Sequence, residues 1–239
     1  MSLKIVTYNV RGCRGLDGKI CTDRITAILR ECDADVIALQ ELDAGRSRSK
    51  FIDQPQRIAD ALDMDVLFHS CEGWTDGRYG TAILSRMSLK HVRSGNLPAM
   101  KGREPRGALW AEVGHEKMAI HIVNTHLGLH PRERHAQIEA LLGPEWFGHN
   151  TLSSAAILCG DFNLSRRDPL YKTLSHRLRD VQSVNQRHHT TWLGLRTIDF
   201  ILVNEGMEIR ESRTHKPLHA LVASDHVPLI AHLGINPVK

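Results

Sequence analysis

Short apolar runs alternate with segments of helical periodicity along this chain, and most of the runs break off at a polar residue. Residues 3–8 are apolar and β-branched and read as a strand. Thr22-Asp23 then stands as a cap before Ile25, Ile28, Leu29 and Cys32, which fall at i, i+3, i+4 and i+7 of a helix. Residues 34–39 form a second strand, with Glu41 just past its end. Pro55 opens a helix carrying Ile58, Ala59 and Leu62. Runs at 66–68, 81–84, 108–113 and 118–123 predict further strands. Pro131 opens a third helix with Ile138, Leu141 and Leu142 inside and Gly143 as its stop. Strands at 155–159, 200–203, 208–212 and 227–233 complete the series.

About ten strands with three or four helices, joined by short loops, predict a mixed α/β sandwich. No linker, repeat or composition shift divides the chain, so residues 1–239 are expected to form one domain. The composition, 41% hydrophobic and 24% charged, allows a sizeable core and changes little else. No apolar run reaches the roughly 20 residues of a membrane-spanning helix, and the N-terminus lacks a signal-peptide pattern. Five cysteines without paired metal spacing read as reduced thiols, so a cytoplasmic location is expected. A net charge of +4 suits an anionic partner but lends nucleic acid only slight support.

The polar residues at the run ends carry the chemistry. Glu41, Asp161, Asp199 and Asp225 each stand beside an apolar strand, and buried carboxylates of like charge repel one another. A divalent cation removes the conflict, and oxygen donors of this kind select Mg²⁺, Mn²⁺ or Ca²⁺ over zinc. Asn9 and Asn163 add neutral oxygens for the metal or amide donors for a phosphate. Neighbours in an extended strand point to opposite faces, so Asp225 cannot orient His226 directly; Asp199 is the nearest alternative in sequence. An imidazole so held can take a proton from water or stay cationic against a developing phosphorane. His126, ending its strand, is placed to touch a non-bridging oxygen or protonate a leaving group. Arg106 offers a guanidinium fork to phosphate, and Arg46, with Arg48 and Lys50, forms a basic loop expected near the site mouth.

Seven motifs in order resemble those of the endonuclease/exonuclease/phosphatase superfamily, which includes DNase I: Thr7-Tyr8-Asn9, Leu39-Gln40-Glu41, Gly80-Thr81-Ala82-Ile83-Leu84-Ser85, Asn124-Thr125-His126-Leu127, Gly160-Asp161-Phe162-Asn163, Ile198-Asp199-Phe200-Ile201 and Ser224-Asp225-His226-Val227-Pro228-Leu229. The resemblance implies a four-layer sandwich of two mixed, mostly antiparallel central sheets flanked by helices, with the site on one edge. It implies that Glu41 binds a catalytic Mg²⁺, replaceable by Mn²⁺, with Asn9 and Asp225 as ligands or close by. Asp161 and Asn163 would position the attacking water and the phosphate or hold a second metal, Asp199 would orient His226, and His126 would contact the phosphate.

Departures narrow the expected substrate. Abasic-site endonucleases usually have Asn-X-Tyr where this chain has Asn124-Thr125-His126, and no dense Lys/Arg stripe supplies the phosphate contacts of duplex binding. Trp192 is expected to pack behind the site rather than stack on substrate. The expectation is therefore a Mg²⁺-dependent phosphodiesterase acting on a small or lipid-like phosphate ester, with peripheral lipid contact. A nuclease acting on DNA or RNA is the alternative, and a catalytically silent binding module the second.

Overall fold

The computed structural model describes residues 2–71, 75–115, 118–149, 154–183, 189–217 and 220–236. Its strands form two six-stranded sheets. The first runs in the order β11 (Met207–Thr214), β12 (Leu229–Ile235), β1 (Ser2–Asn9), β2 (Val36–Ala44), β4 (Arg78–Ser85), β3 (Asp65–Ser70). The second runs β5 (Leu89–Asn96), β6 (Gly107–His115), β7 (Met118–His126), β8 (Ala156–Asp161), β10 (Asp199–Val203), β9 (Arg179–Asp180). Each sheet has one parallel pair at its centre, β1 with β2 and β7 with β8, and antiparallel pairs elsewhere.

Side-chain alternation assigns the layers. On β1, Leu3 and Ile5 face inward and meet Leu109, Ile122 and Ile157 of the other sheet. Val6 and Tyr8 face outward, onto Ile25, Ile28 and Leu29 of α1 (Thr22–Cys32) and Ile58 of α2 (Gln54–Leu62). The second sheet repeats the scheme: Val123, Leu158 and Phe200 pack on Ile138 and Leu141 of α3 (Pro131–Leu142) and Leu174 of α4 (Pro169–Ser175). The result is helix, sheet, sheet, helix, the expected DNase I-like sandwich.

Several local features differ from the sequence reading. Cys21 rather than Thr22 occupies the cap position of α1 and makes no side-chain cap, whereas Asp53 caps α2 by accepting from the Gln56 amide. The last strand begins at Leu229, because Val227 donates its N–H to Thr191 and Pro228 has none to offer the ladder. β5 and α4 were not anticipated. Among the described residues no helix is long and apolar enough to cross a membrane, and all five cysteines are free thiols.

Candidate active site

The carboxyl ends of the two parallel pairs meet at one edge of the sandwich, the place where open sheets leave a crevice for ligands. β1 ends on Asn9 and β7 on His126, while β8 ends on Asp161 and β2 carries Glu41 near its end. In the second sheet, His126, Asp161 and Asp199 lie side by side across three strands by register. Gly160 makes that possible: its φ is 139°, and a Cβ there would meet the Thr125 carbonyl oxygen at 1.8 Å. Glu41 arrives differently. The β2–β4 register slips between Leu39 and Leu42, and Glu41 takes a left-handed φ of 61°. This bulge leaves Gln40 fully buried and turns Glu41 toward the cleft. Asn163 is also left-handed, at φ 50°. Such backbone conformations in non-glycine residues concentrate at functional sites.

One oxygen is the hub. Asp161 Oδ2 accepts from Asn9 Nδ2 at 2.9 Å and lies 3.6 Å from His126 Nε2 and 3.7 Å from His226 Nε2. The Asn9 amide also donates to Glu41 Oε1 at 2.9 Å, so Asn9 bridges the two carboxylates. Its oxygen accepts the Arg11 backbone N–H, so of the two expected uses, oxygen ligand or amide donor, it is the amide nitrogen that faces the cluster. Asp199 Oδ2 holds His226 Nδ1 at 2.9 Å, and Asp225 Oδ1 is 4.0 Å from His226 Nε2. Ser224 fixes this turn against β1 by donating from Oγ to the Asn9 carbonyl.

The two histidines carry different charge. Burial disfavours the His226 cation, but the Asp199 charge and hydrogen bond, helped by Asp161 and Asp225, lift its pKa to about 10. Burial, then Arg106 and then His226, push His126 well below the ordinary value. Arg106 Nη1 stands 3.0 Å from His126 Nδ1 and is itself held by Glu104. A guanidinium cannot accept, so Nδ1 is the acceptor and the His126 proton sits on Nε2. The Asn163 amide nitrogen lies 3.0 Å from that same Nε2. Burial first and Asp199 second raise the Asp161 carboxyl to about 7, against the pull of His226, Asn9 and the Asn163 N–H.

The donor set fits a hard divalent cation. Glu41, Asp161 and Asp225 line one cleft, Asp161 resists ionising without a compensating charge, and Asp199 Oδ1 is buried without a hydrogen-bond partner. Asp161, Asp199 and His226 bring ligand-type atoms within 4.8 Å of one another. A His226 that is cationic and bonded to Asp199 makes a poor ligand, so the carboxylate side of the cluster is the better seat.

The cleft measures about 620 Å³. Besides the expected residues, Arg11, Tyr79, Glu104, Arg134 and Arg196 line it. Arg11 Nε approaches Asp225 Oδ2 at 3.5 Å. Arg46 does not line the cleft; its guanidinium pairs with Asp76 at 2.9 Å and lies over the Tyr79 ring. Trp192 lines the cleft rather than packing behind it, bridged to His226 and covered by Arg196. The left-handed turn at Arg11, two residues past Asn9, left no hydrophobic pattern by which to find it.

The uncharacterised protein YbhP of Escherichia coli is 25% identical over 172 residues, spanning 68% of this chain and 67% of that one. A conserved protein of unknown function from Enterococcus faecalis superposes with a TM-score of 0.81 at 19% identity, covering 98% of this chain and all of the other (100%). A mannosyl-6-phosphatase from Bacteroides thetaiotaomicron superposes with a TM-score of 0.78 at 19% identity, covering 98% and 100%. The family model for Endonuclease/Exonuclease/phosphatase proteins matches residues 6–226, from the strand that delivers Asn9 to the histidine that Asp199 holds. By that match, over almost the whole chain, the protein belongs to the endonuclease/exonuclease/phosphatase family.

Proposed function

We propose that the chain is a Mg²⁺- or Mn²⁺-dependent phosphodiesterase acting on a small or lipid-like phosphate ester. The observation that carries this reading is the Asp161 hub, which sets an acceptor with a pKa near 7 between a cationic and a neutral imidazole. Family members hydrolyse phosphoesters, and each group has a task in that chemistry. Asp161 accepts a proton from an attacking water at neutral pH. His226, kept cationic by Asp199, stabilises charge growing on the phosphoryl group. The His126 Nε2–H and the Asn163 amide are two donors 3.0 Å apart, a mutual repulsion that an anionic oxygen between them relieves. Glu41 and Asp225 would hold the cation, which when bound would supply Lewis-acid polarisation of the phosphoryl oxygen.

A nuclease is the second reading, favoured by cavities on both flanks of the cleft that contain arginines. Four of these seven arginines are already paired: Arg11 with Asp225, Arg48 with Asp43, Arg134 with Asp168 and Arg166 with Asp180. The unpaired remainder is too sparse to follow several phosphates along a strand. The test is hydrolysis, with Mg²⁺ or Mn²⁺, of a panel spanning phospholipid head-group diesters, sugar and inositol phosphates and oligonucleotides. Sugar monoesters are included because a structural neighbour is a mannosyl-6-phosphatase. Turnover of head-group or other small diesters that is lost in Glu41→Ala supports the proposal; turnover of oligonucleotides alone replaces it with the second reading; no turnover of any ester overturns both.

A further inference from the structure

Four large apolar side chains among the described residues are at least half exposed: Leu16 at 50%, Phe51 at 73%, Leu129 at 68% and Leu195 at 75%. The next most exposed, Val92, Met100 and Val222, reach only 38–39%. Single exposed leucines need no explanation, but these four share a location. Leu129 lines the catalytic cleft itself. Leu195 lines the cavity on one flank, which shares Arg134, Asn163, Arg196 and Ile198 with the cleft. Leu16 lies between Arg14 and Gly18, and Phe51 follows Arg48 by three residues; those three neighbours line the cavity on the other flank, which shares Arg11 and Glu41 with the cleft. The most exposed apolar tips therefore ring the active-site edge of the sandwich.

Each tip has an exposed cation beside it in sequence: Arg14 near Leu16, Lys50 before Phe51, Arg132 after Leu129 and Arg196 after Leu195. None of these four cations is in an ion pair among the described residues, in contrast to Arg48, Arg134 and Arg166 in the flanks. The backbone works to hold two of the tips outward. Lys50 and Phe51 are successive left-handed residues at φ 57° and 60°, tied back by the Phe51 N–H to the Arg46 carbonyl. Leu193 and Gly194 are left-handed at 46° and 69°, and the Trp192–Arg196 bridge closes the hairpin that presents Leu195. A bulky residue at positive φ is uncommon in a loop that has no use for it.

We infer that this face docks on an anionic lipid surface, the four tips entering the headgroup boundary and the adjacent cations meeting lipid phosphates, with the cleft held against the membrane. Apolar tips interleaved with unpaired cations match the amphipathic pattern of interfacial binding. A single-stranded nucleic acid would ask for aromatic platforms, and three of the four tips are aliphatic.

Flotation of the full chain with vesicles tests the inference without reference to hydrolysis, so its failure and that of the proposed reaction are separable. The chain should float with vesicles of phosphatidylcholine mixed with phosphatidylglycerol and remain behind with phosphatidylcholine alone. In Leu16→Ser/Phe51→Ser/Leu195→Ser, partitioning should fall at least about tenfold with the melting temperature kept. Should that variant lose its fold, Leu195→Ser alone should still reduce partitioning. Arg196→Ala should weaken binding roughly fivefold, and added salt should weaken it further. No flotation with the anionic vesicles, or a folded triple variant that floats as well as the parent, overturns the inference. So does binding of a single-stranded oligonucleotide in place of vesicles.

Discussion

His226, from the turn before β12, and His126, from the end of β7, stand within 4 Å of the same carboxylate oxygen, yet one is cationic and the other neutral. Both are buried, and burial alone would drive both toward the neutral form. The partner on the far ring nitrogen decides. An aspartate behind His226 keeps the proton on against burial; an arginine behind His126 reinforces burial and fixes which nitrogen bears the proton that remains. Residue type and position at a strand end thus leave the role open, and the second contact assigns it.

The sharpest way to break this contrast is to delete each ring. His226→Gln should lower kcat/KM by about 10²–10⁴-fold, the range for a general acid–base or charge-stabilising group. His126→Gln, which removes one neutral donor, should cost nearer 10²-fold. A larger loss at His126 would reverse the assignment. Next, Asp199→Asn should bring the His226 pKa down from about 10 toward its ordinary value, so the alkaline limb of the pH–rate profile should move to lower pH. The sign for stability agrees: the His226–Asp199 pair stabilises the fold fully below about pH 6.5 and less as pH rises through about 10.

Asp161 runs the other way. Its folded pKa of about 7 exceeds the unfolded value, so the metal-free protein should lose stability as pH rises from about 4 to 7. Mg²⁺ should therefore raise the melting temperature more at pH 8 than at pH 5.5. Asp161→Asn should raise the metal-free melting temperature at pH 8 while abolishing activity. Equal Mg²⁺ shifts at the two pH values would count against the carboxylate seat. The smallest effect concerns Arg106→Met, which should move the His126 titration upward, as followed by the imidazole Cε1–H resonance; an unmoved resonance would leave burial and His226 as the causes.

Much of the frame was legible because buried strands leave a strong pattern. The β1, β2, β7, β8 and β10 cores were each found from apolar runs, and the polar residues at their ends mark the site edge. What escaped lacks that pattern. β5 is an edge strand whose only apolar aliphatic side chains are Leu89 and Val92, so it reads as loop. α4 spans seven residues, too few for a period to show. The predicted β2 ends at residue 39, where the apolar run gives way to Gln40 and Glu41; the strand in fact continues to Ala44 through the bulge that aims Glu41. Arg46 stood in a basic loop close to Glu41 in sequence, yet Asp76, thirty residues on, claims its guanidinium. Spacing along the chain carried no information about that pairing. The Asp199–His226 contact was foreseeable, since the extended-strand rule excluded Asp225 and left Asp199 as the nearest candidate.

Beneath the cleft, Gln40 donates to the Asn124 side-chain oxygen at 2.8 Å, while the Asn124 amide donates to the carbonyls of Leu39 and Ala82. These fully buried groups rivet one leaf of the sandwich to the other. Sliding the leaves would strand several polar atoms in a dry interior, at about 1–3 kcal/mol each. Breathing between the sheets is thereby suppressed, and fitting differently shaped esters falls to the rim loops while the floor stays fixed.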